Sequence, residues 1–295
     1  VIKNIIKAYF YLNYDVSDPR TNPWPLMYTP WSTLGILIGY LYFVFKIGPK
    51  FMANRKPYNL ERLLVVYNLL QILACVYIVY RNIVLAWGKY SFLCEPVDYE
   101  SNPESLEIAS LIYYYFVIKV IDLLDTVFFI LRKKENQVTF LHVYHHTGMV
   151  GLGWATTKFL AGGHSIYVTT INSFVHVVMY TYYLLTAWDP EYKKSVWWKK
   201  HITQLQIFQF LTLMILFTQI AFIPGCNYPV WTMIVFVPQN LFMLILFGDF
   251  YYKAYIKKKP AASEQNKIEE STPSSSNAST SLPSSSSSDV KHKSS

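Results

Sequence analysis

Leu141-His142-Val143-Tyr144-His145-His146 places three imidazoles within five residues of an apolar run. On a helix, residues three and four apart share a face, so His142, His145 and His146 are expected to point the same way. Ionisable groups inside an apolar segment are costly and usually functional. A single buried histidine needs one hydrogen-bond partner. Three at this spacing point instead to metal ligation or to nucleophilic and general-base catalysis.

Other polar residues fall at matching depths in the neighbouring apolar runs. Counting about 1.5 Å of helix rise per residue, the triplet lies about 8–14 Å from one end of its run. Asp122 and Asp125 lie at a similar depth, with Lys119 one turn further in. His176 and Tyr180, Gln206 and Gln209, and Asn68 and Gln71 complete the layer. Lys119 and Asp122 are spaced to pair. The layer reads as one buried site, open at one end and backed by almost purely apolar and aromatic helix halves. That shape suits a long acyl chain with its reactive head near the opening.

The elements that hold these residues are expected to be membrane helices. The chain is 53% hydrophobic and 18% aromatic, and a span takes about 20 mostly apolar residues. Seven runs qualify: 32–45, 63–87, 108–131, 138–159, 165–187, 204–223 and 230–252. The run at 63–80 has no charged face of the kind a soluble bundle needs. The expected fold is an all-α polytopic membrane protein, about seven transmembrane helices enclosing an acyl-chain tunnel. Its parts are an N-terminal segment (1–30), a membrane domain (31–256) and a disordered tail (257–295) too polar to order itself.

The net charge of +8 is distributed by loop. Lys46, Lys50, Arg55 and Lys56 fall in one loop and Arg132, Lys133 and Lys134 in another. Lys193, Lys194, Lys199 and Lys200 fall in a third, and Lys253 and Lys257–Lys259 follow the last run. The intervening loops are acidic or neutral, as at Glu95-Pro96-Val97-Asp98-Tyr99-Glu100. This positive-inside pattern predicts a lumenal N-terminus and a cytosolic C-terminus. It argues against a nucleic-acid partner. The stretch 1–30 carries no leader pattern. Asn277-Ala278-Ser279 is a glycosylation sequon on the cytosolic side, where it would go unused. Lys291 and Lys293 resemble a dilysine signal for return to the endoplasmic reticulum. Cys75 lies within a span. Cys94 and Cys226 fall in two lumenal loops, where an oxidising compartment lets them pair; a disulfide is expected.

Two chemistries compete. The HxxHH spacing is shared with membrane di-iron desaturases and hydroxylases, which resemble one another in having several histidine boxes. Here His292 is in the tail, His164 at the lumenal end and His201 in a basic loop. Four imidazoles remain, with Asp122 and Asp125 as the only nearby carboxylates, so a metal-dependent lipid oxidation is the lesser alternative. Acyl transfer needs a nucleophile, and with no cysteine well placed the carrier would be a histidine. A transporter would want polar residues through the whole thickness, and a structural protein would not need the triplet.

Several motifs occur in order: Asn54-Arg55-Lys56-Pro57-Tyr58, Lys119-Val120-Ile121-Asp122-Leu123-Leu124-Asp125-Thr126, and Gln137-Val138-Thr139-Phe140 before the histidine box. Asn172-Ser173-Phe174-Val175-His176, Met179-Tyr180-Thr181-Tyr182-Tyr183 and Thr203-Gln204-Leu205-Gln206-Ile207-Phe208-Gln209 follow. With these the chain, over roughly 18–252, resembles the very-long-chain fatty acid elongases, membrane 3-ketoacyl-CoA synthases. It departs where their KxxExxDT pattern carries Glu, here Asp122. The box HVYHH resembles the branch acting on longer or unsaturated chains. The resemblance implies decarboxylative condensation of acyl-CoA with malonyl-CoA and no cofactor, in the endoplasmic reticulum. It implies His145 as acyl carrier, with His142, His146 and His176 orienting it. Lys119, Asp122, Asp125, Asn172, Tyr180, Gln206 and Gln209 would bind substrate, with Arg132 and Lys133 near the phosphates. A 3-ketoacyl-CoA reductase, a dehydratase and an enoyl-CoA reductase would take the product onward. Chain length and oligomeric state, a homo-oligomer included, stay open.

Overall fold

A computed structural model describes residues 2–257. Among these residues the chain is wholly helical, with no strand. Its α-helices are α1 (Ile2–Phe10), α2 (Pro30–Tyr42), α3 (Gly48–Met52), α4 (Glu61–Ala86), α5 (Pro103–Ile121), α6 (Leu123–Leu131), α7 (Phe140–Phe159), α8 (Ser165–Trp188), α9 (Val196–Gln219) and α10 (Trp231–Tyr251). Val1–Tyr255 make one compact unit. The sequon at Asn277 and the lysines at 291 and 293 lie outside the described residues.

Local chemistry sets the helix starts. Pro30 and Pro103 occupy first-turn positions of α2 and α5, where a missing N–H costs nothing. Asn102 Oδ1 accepts from Ser105 N at 2.8 Å, and Thr139 Oγ1 accepts from His142 N at 3.2 Å, each satisfying an orphan donor of its helix. The second cap fixes where α7 begins and so the phase of the histidine box.

Four helical stretches, Pro30–Met52, Glu61–Ala86, Val196–Phe222 and Trp231–Ile256, are long and apolar enough to cross a membrane. Their outer faces are greasy: Leu70, Ile234 and Ile245 are 61%, 71% and 59% exposed. The chain is a multi-pass membrane protein. Helices α5, α7 and α8, of 19, 20 and 24 residues, are diluted by the polar residues that form the site. The run at 108–131 is not one helix. It breaks at Asp122, which joins α5 to α6.

Side-chain and backbone bonds define two ends of the bundle. At one end the disulfide Cys94–Cys226 links the α4–α5 connection to the α9–α10 connection, with Cα atoms 5.8 Å apart. His164 N donates to Glu95 O at 2.9 Å. Beside it Gly163, in the α7–α8 connection, has φ +54°, and a Cβ there would lie 2.6 Å from the Pro96 carbonyl, so only glycine lets this connection meet the α4–α5 connection. At the other end Tyr58 N donates to Leu131 O at 3.0 Å, and Lys133 Nζ lies 3.4 Å from Ala53 O.

The Cys94 end corrects the expectation of almost purely apolar helix halves. Asp18, Arg20, Asn82, Lys158, His164 and Thr169 are all buried there. Arg20 pairs with Asp18 at 2.6 Å and also donates to Asp98 O at 2.6 Å and Ala161 O at 3.2 Å. Lys158 Nζ donates to Asn22 Oδ1 at 2.5 Å and Met27 O at 2.9 Å. The polar groups brought by the segment before α2 pay for their own burial by bonding the helix ends. That is why hydropathy along each helix did not reveal them.

Candidate active site

The histidine triplet faces two surroundings. His142 and His146 have ring centroids 4.2 Å apart, and His145 and His146 5.7 Å, so the three share one side of α7. Yet His142 Nε2 lies 2.9 Å from Thr126 Oγ1 of α6, which in turn lies 2.8 Å from the Tyr40 hydroxyl of α2. His145 turns the other way, into a slot between α7, α8, α9 and α10. Its Nδ1 is buried and has no hydrogen-bond partner among the described residues.

The slot is narrow, about 40 Å³, enough for water rather than an acyl chain. Beyond His145 its polar lining includes Tyr115, Asn172, Gln209, Gln239 and Asn240, and its apolar lining includes Met149, Leu213, Phe236 and Met243. The Tyr115 hydroxyl donates to Asn172 Oδ1 at 2.8 Å, and Asn172 Nδ2 donates to Gln209 Oε1 at 3.3 Å. Tyr144 reaches across from α7 to bond Gln239 Oε1 at 2.7 Å. These bonds hold amide and hydroxyl groups around the free imidazole.

A second group of polar side chains sits beside the slot without lining it. Lys119 Nζ donates to Asp122 Oδ2 at 3.0 Å and lies 3.4 and 3.3 Å from the two ring nitrogens of His176. The one-methylene-shorter acid at position 122 therefore still reaches Lys119. The Tyr180 hydroxyl lies between two carboxyl groups, 3.0 Å from Asp122 Oδ1 and 2.9 Å from Asp125 Oδ2. Gln71 Nε2 donates to Asp122 Oδ1 at 2.6 Å. A fixed ammonium lies between the carboxylate of Asp122 and the imidazole of His176, in the space a cation would need. Among the described residues no three His, Cys, Asp or Glu converge to hold a metal ion, so lipid oxidation at a metal gains no support from this donor set.

Not every expected residue joins these groups. Gln206 Nε2 meets only Met179 Sδ, at 3.8 Å, and does not line the slot. Arg132 and Lys133 stand at the end of α6, outside it.

The comparison with known proteins decides the family. Residues 25–263 match the ELO: GNS1/SUR4 family. The chain belongs to this family. It is similar to very long chain fatty acid elongase 7 of Rattus norvegicus, 44% identical over 244 residues, 82% of this chain and 86% of the rat protein. It is also similar to very long chain fatty acid elongase 1 of Homo sapiens, 41% identical over 85% of this chain and 91% of the human protein. An Aedes aegypti elongase is 41% identical over 91% and 76%. As an ELO-family member the chain is a condensing enzyme of fatty-acid elongation, with acyl-CoA and malonyl-CoA as its type of substrate.

Within this candidate site, sequence reading missed Thr126 as the partner of His142 and Tyr40 as the partner of Thr126, and Tyr115, Gln239 and Asn240 as slot residues. Tyr115 is one turn before Lys119, a spacing that could have found it. Tyr40 and Gln239 come from α2 and α10, and nothing local marks them.

Proposed function

We propose that this ELO-family enzyme works by a covalent acyl-histidine, with His145 as the carrier. The observation that carries the reading is the buried, unpartnered Nδ1 of His145 at a mostly apolar slot. A structural histidine would spend that nitrogen on a hydrogen bond.

In the first step an imidazole nitrogen of His145 attacks the thioester carbon of a long-chain or very-long-chain acyl-CoA. The C–S bond breaks, and CoA leaves, taking a proton. In the second step malonyl-CoA loses CO2 and becomes an enolate, so no strong base is required. The enolate carbon attacks the acyl-imidazole, the C–N bond breaks to release 3-oxoacyl-CoA, and His145 takes up one proton from solvent to return to its starting form. The Asn172 and Gln209 amides, which line the slot with His145, would stabilise oxyanions there. His146 and His176 sit behind it, and His142 is held by Thr126. Lys119, Asp122, Asp125 and Tyr180 form the charged support of His176 rather than a surface of the slot. Arg132 and Lys133 would meet CoA phosphates. The acyl chain would occupy the slot once flexible linings such as Met149 and Met243 move, making the expected tunnel.

Sidedness follows from charge and redox chemistry. Seven spans, with the Cys94–Cys226 end in an oxidising lumen and Arg55 and Lys133 at the cytosolic end, fit the endoplasmic reticulum membrane. In that arrangement 1–30 is a lumenal segment, 31–256 the membrane domain and 257–295 a cytosolic tail. The product would pass to a 3-ketoacyl-CoA reductase, a dehydratase and an enoyl-CoA reductase.

The test is to give the purified protein a long-chain acyl-CoA and malonyl-CoA and to follow CO2. Release should require both thioesters. Acyl-CoA alone should yield free CoA up to one equivalent per enzyme. Condensation with no CoA released until malonyl-CoA is added would overturn the covalent route.

A further inference from the structure

We propose that Gln71 is a positioning residue for condensation. It holds the Asp122 carboxylate that keeps the Lys119 ammonium against His176. The proposal rests on the reading above in which His176 serves the acyl centre.

Three separate helices meet at Asp122. Gln71 comes from α4, Lys119 and Asp122 from the α5–α6 junction, and His176 and Tyr180 from α8. Gln71 is 3% exposed and Asp122 2%. The Gln71 amide nitrogen has two hydrogens and both have acceptors: Asp122 Oδ1 at 2.6 Å and the Tyr67 hydroxyl oxygen at 3.1 Å. Asp122 Oδ1 otherwise receives only Tyr180, whose single hydroxyl hydrogen is equally within reach of Asp125. Asp122 Oδ2 accepts from Lys119. Lys119 also lies 4.9 Å above the ring of Tyr115, which holds Asn172.

Asp122 is therefore a hub with a short stem. Its backbone stands at a helix break, so its partners decide where the carboxylate points. Without the Gln71 amide, Tyr180 can turn to Asp125, leaving Oδ1 buried without a donor. The carboxylate then moves toward what donors remain, and Lys119 follows it away from His176. Gln71 does not line the slot. Its loss should therefore slow the chemical step and leave substrate binding alone.

The experiment uses the full-length protein in proteoliposomes, with initial rates measured against each thioester. Gln71→Asn withdraws the amide by one methylene, Asp122→Glu extends the carboxylate by one, and the double variant conserves the combined length. Gln71→Asn should lower kcat about tenfold with both KM values within about twofold. The double variant should recover to within about threefold of the starting enzyme, a non-additivity that marks direct contact. A purely structural role would lower the folded yield and leave kcat per folded molecule unchanged. Unchanged kcat in Gln71→Asn, a rise in KM alone, or a double variant no better than its worse single would overturn the proposal. Should Gln71→Asn fail to elute as a folded species, Gln71→Met takes its place: the same loss of kcat is expected, and starting-level kcat overturns. His176→Ala is run alongside. Full activity there overturns the role given to His176 and this proposal with it. An inactive His176→Ala beside a fully active Gln71→Asn overturns this proposal alone.

Discussion

His142 Nε2 lies 2.9 Å from Thr126 Oγ1, which ties the first histidine of the box to α6 while His145 is left free at the slot. The hydroxyl of Thr126 is itself tied to Tyr40 on α2. The box is thus a fixed imidazole and a free one, three residues apart. Replacing Thr126 with Val keeps the shape and removes the bond. We expect kcat to fall about tenfold, the scale of one buried hydrogen bond, with KM values nearly unchanged. Steady-state rates against each thioester check this.

His145→Ala should abolish condensation and the covalent adduct together. With acyl-CoA alone, the unaltered protein should gain the acyl mass on the peptide spanning 142–146, as read by mass spectrometry. The variant should show neither that mass nor CoA release. An adduct that persists in His145→Ala would move the carrier to another residue.

Arg20→Leu should destabilise the protein strongly. It leaves Asp18 charged and buried, with the carbonyls of Asp98 and Ala161 without their donor. Breaking a buried pair from one side costs about 3–5 kcal/mol. A lowered unfolding midpoint of the detergent-solubilised protein, with the residual folded fraction still condensing, is the expected result.

Reducing the disulfide, or Cys94→Ser, should lower stability without touching the chemistry. The bond spans 132 residues of sequence, and loss of such a link costs about 2–4 kcal/mol. Thermal unfolding with and without a thiol reductant measures it. Activity per folded molecule should be unchanged, because neither cysteine lines the slot.

Much of this protein was legible along the chain because its signals are local. Apolar runs long enough to need a membrane and alternating basic loops each depend on neighbouring residues only. The i, i+3 spacing of Lys119 and Asp122 announced their ion pair for the same reason. The order of the motifs carries the family resemblance by itself.

The tertiary structure decided what each polar residue faces. Helical spacing put three histidines on one side of α7, but only the positions of α6 and of the slot separate His142, bonded to Thr126, from His145, bonded to nothing at Nδ1. Depth counting placed Gln206 and Gln209 in one layer, and the rotation of α9 sends only Gln209 to Asn172. Arg20 and Lys158 carry no mark in the sequence of what they bond. Besides the side chains of Asp18 and Asn22, their partners are the backbone carbonyls of Asp98, Ala161 and Met27. Carbonyl partners leave no trace in residue type, and contacts between helices far apart in sequence depend on rotation and tilt that no single helix sets alone.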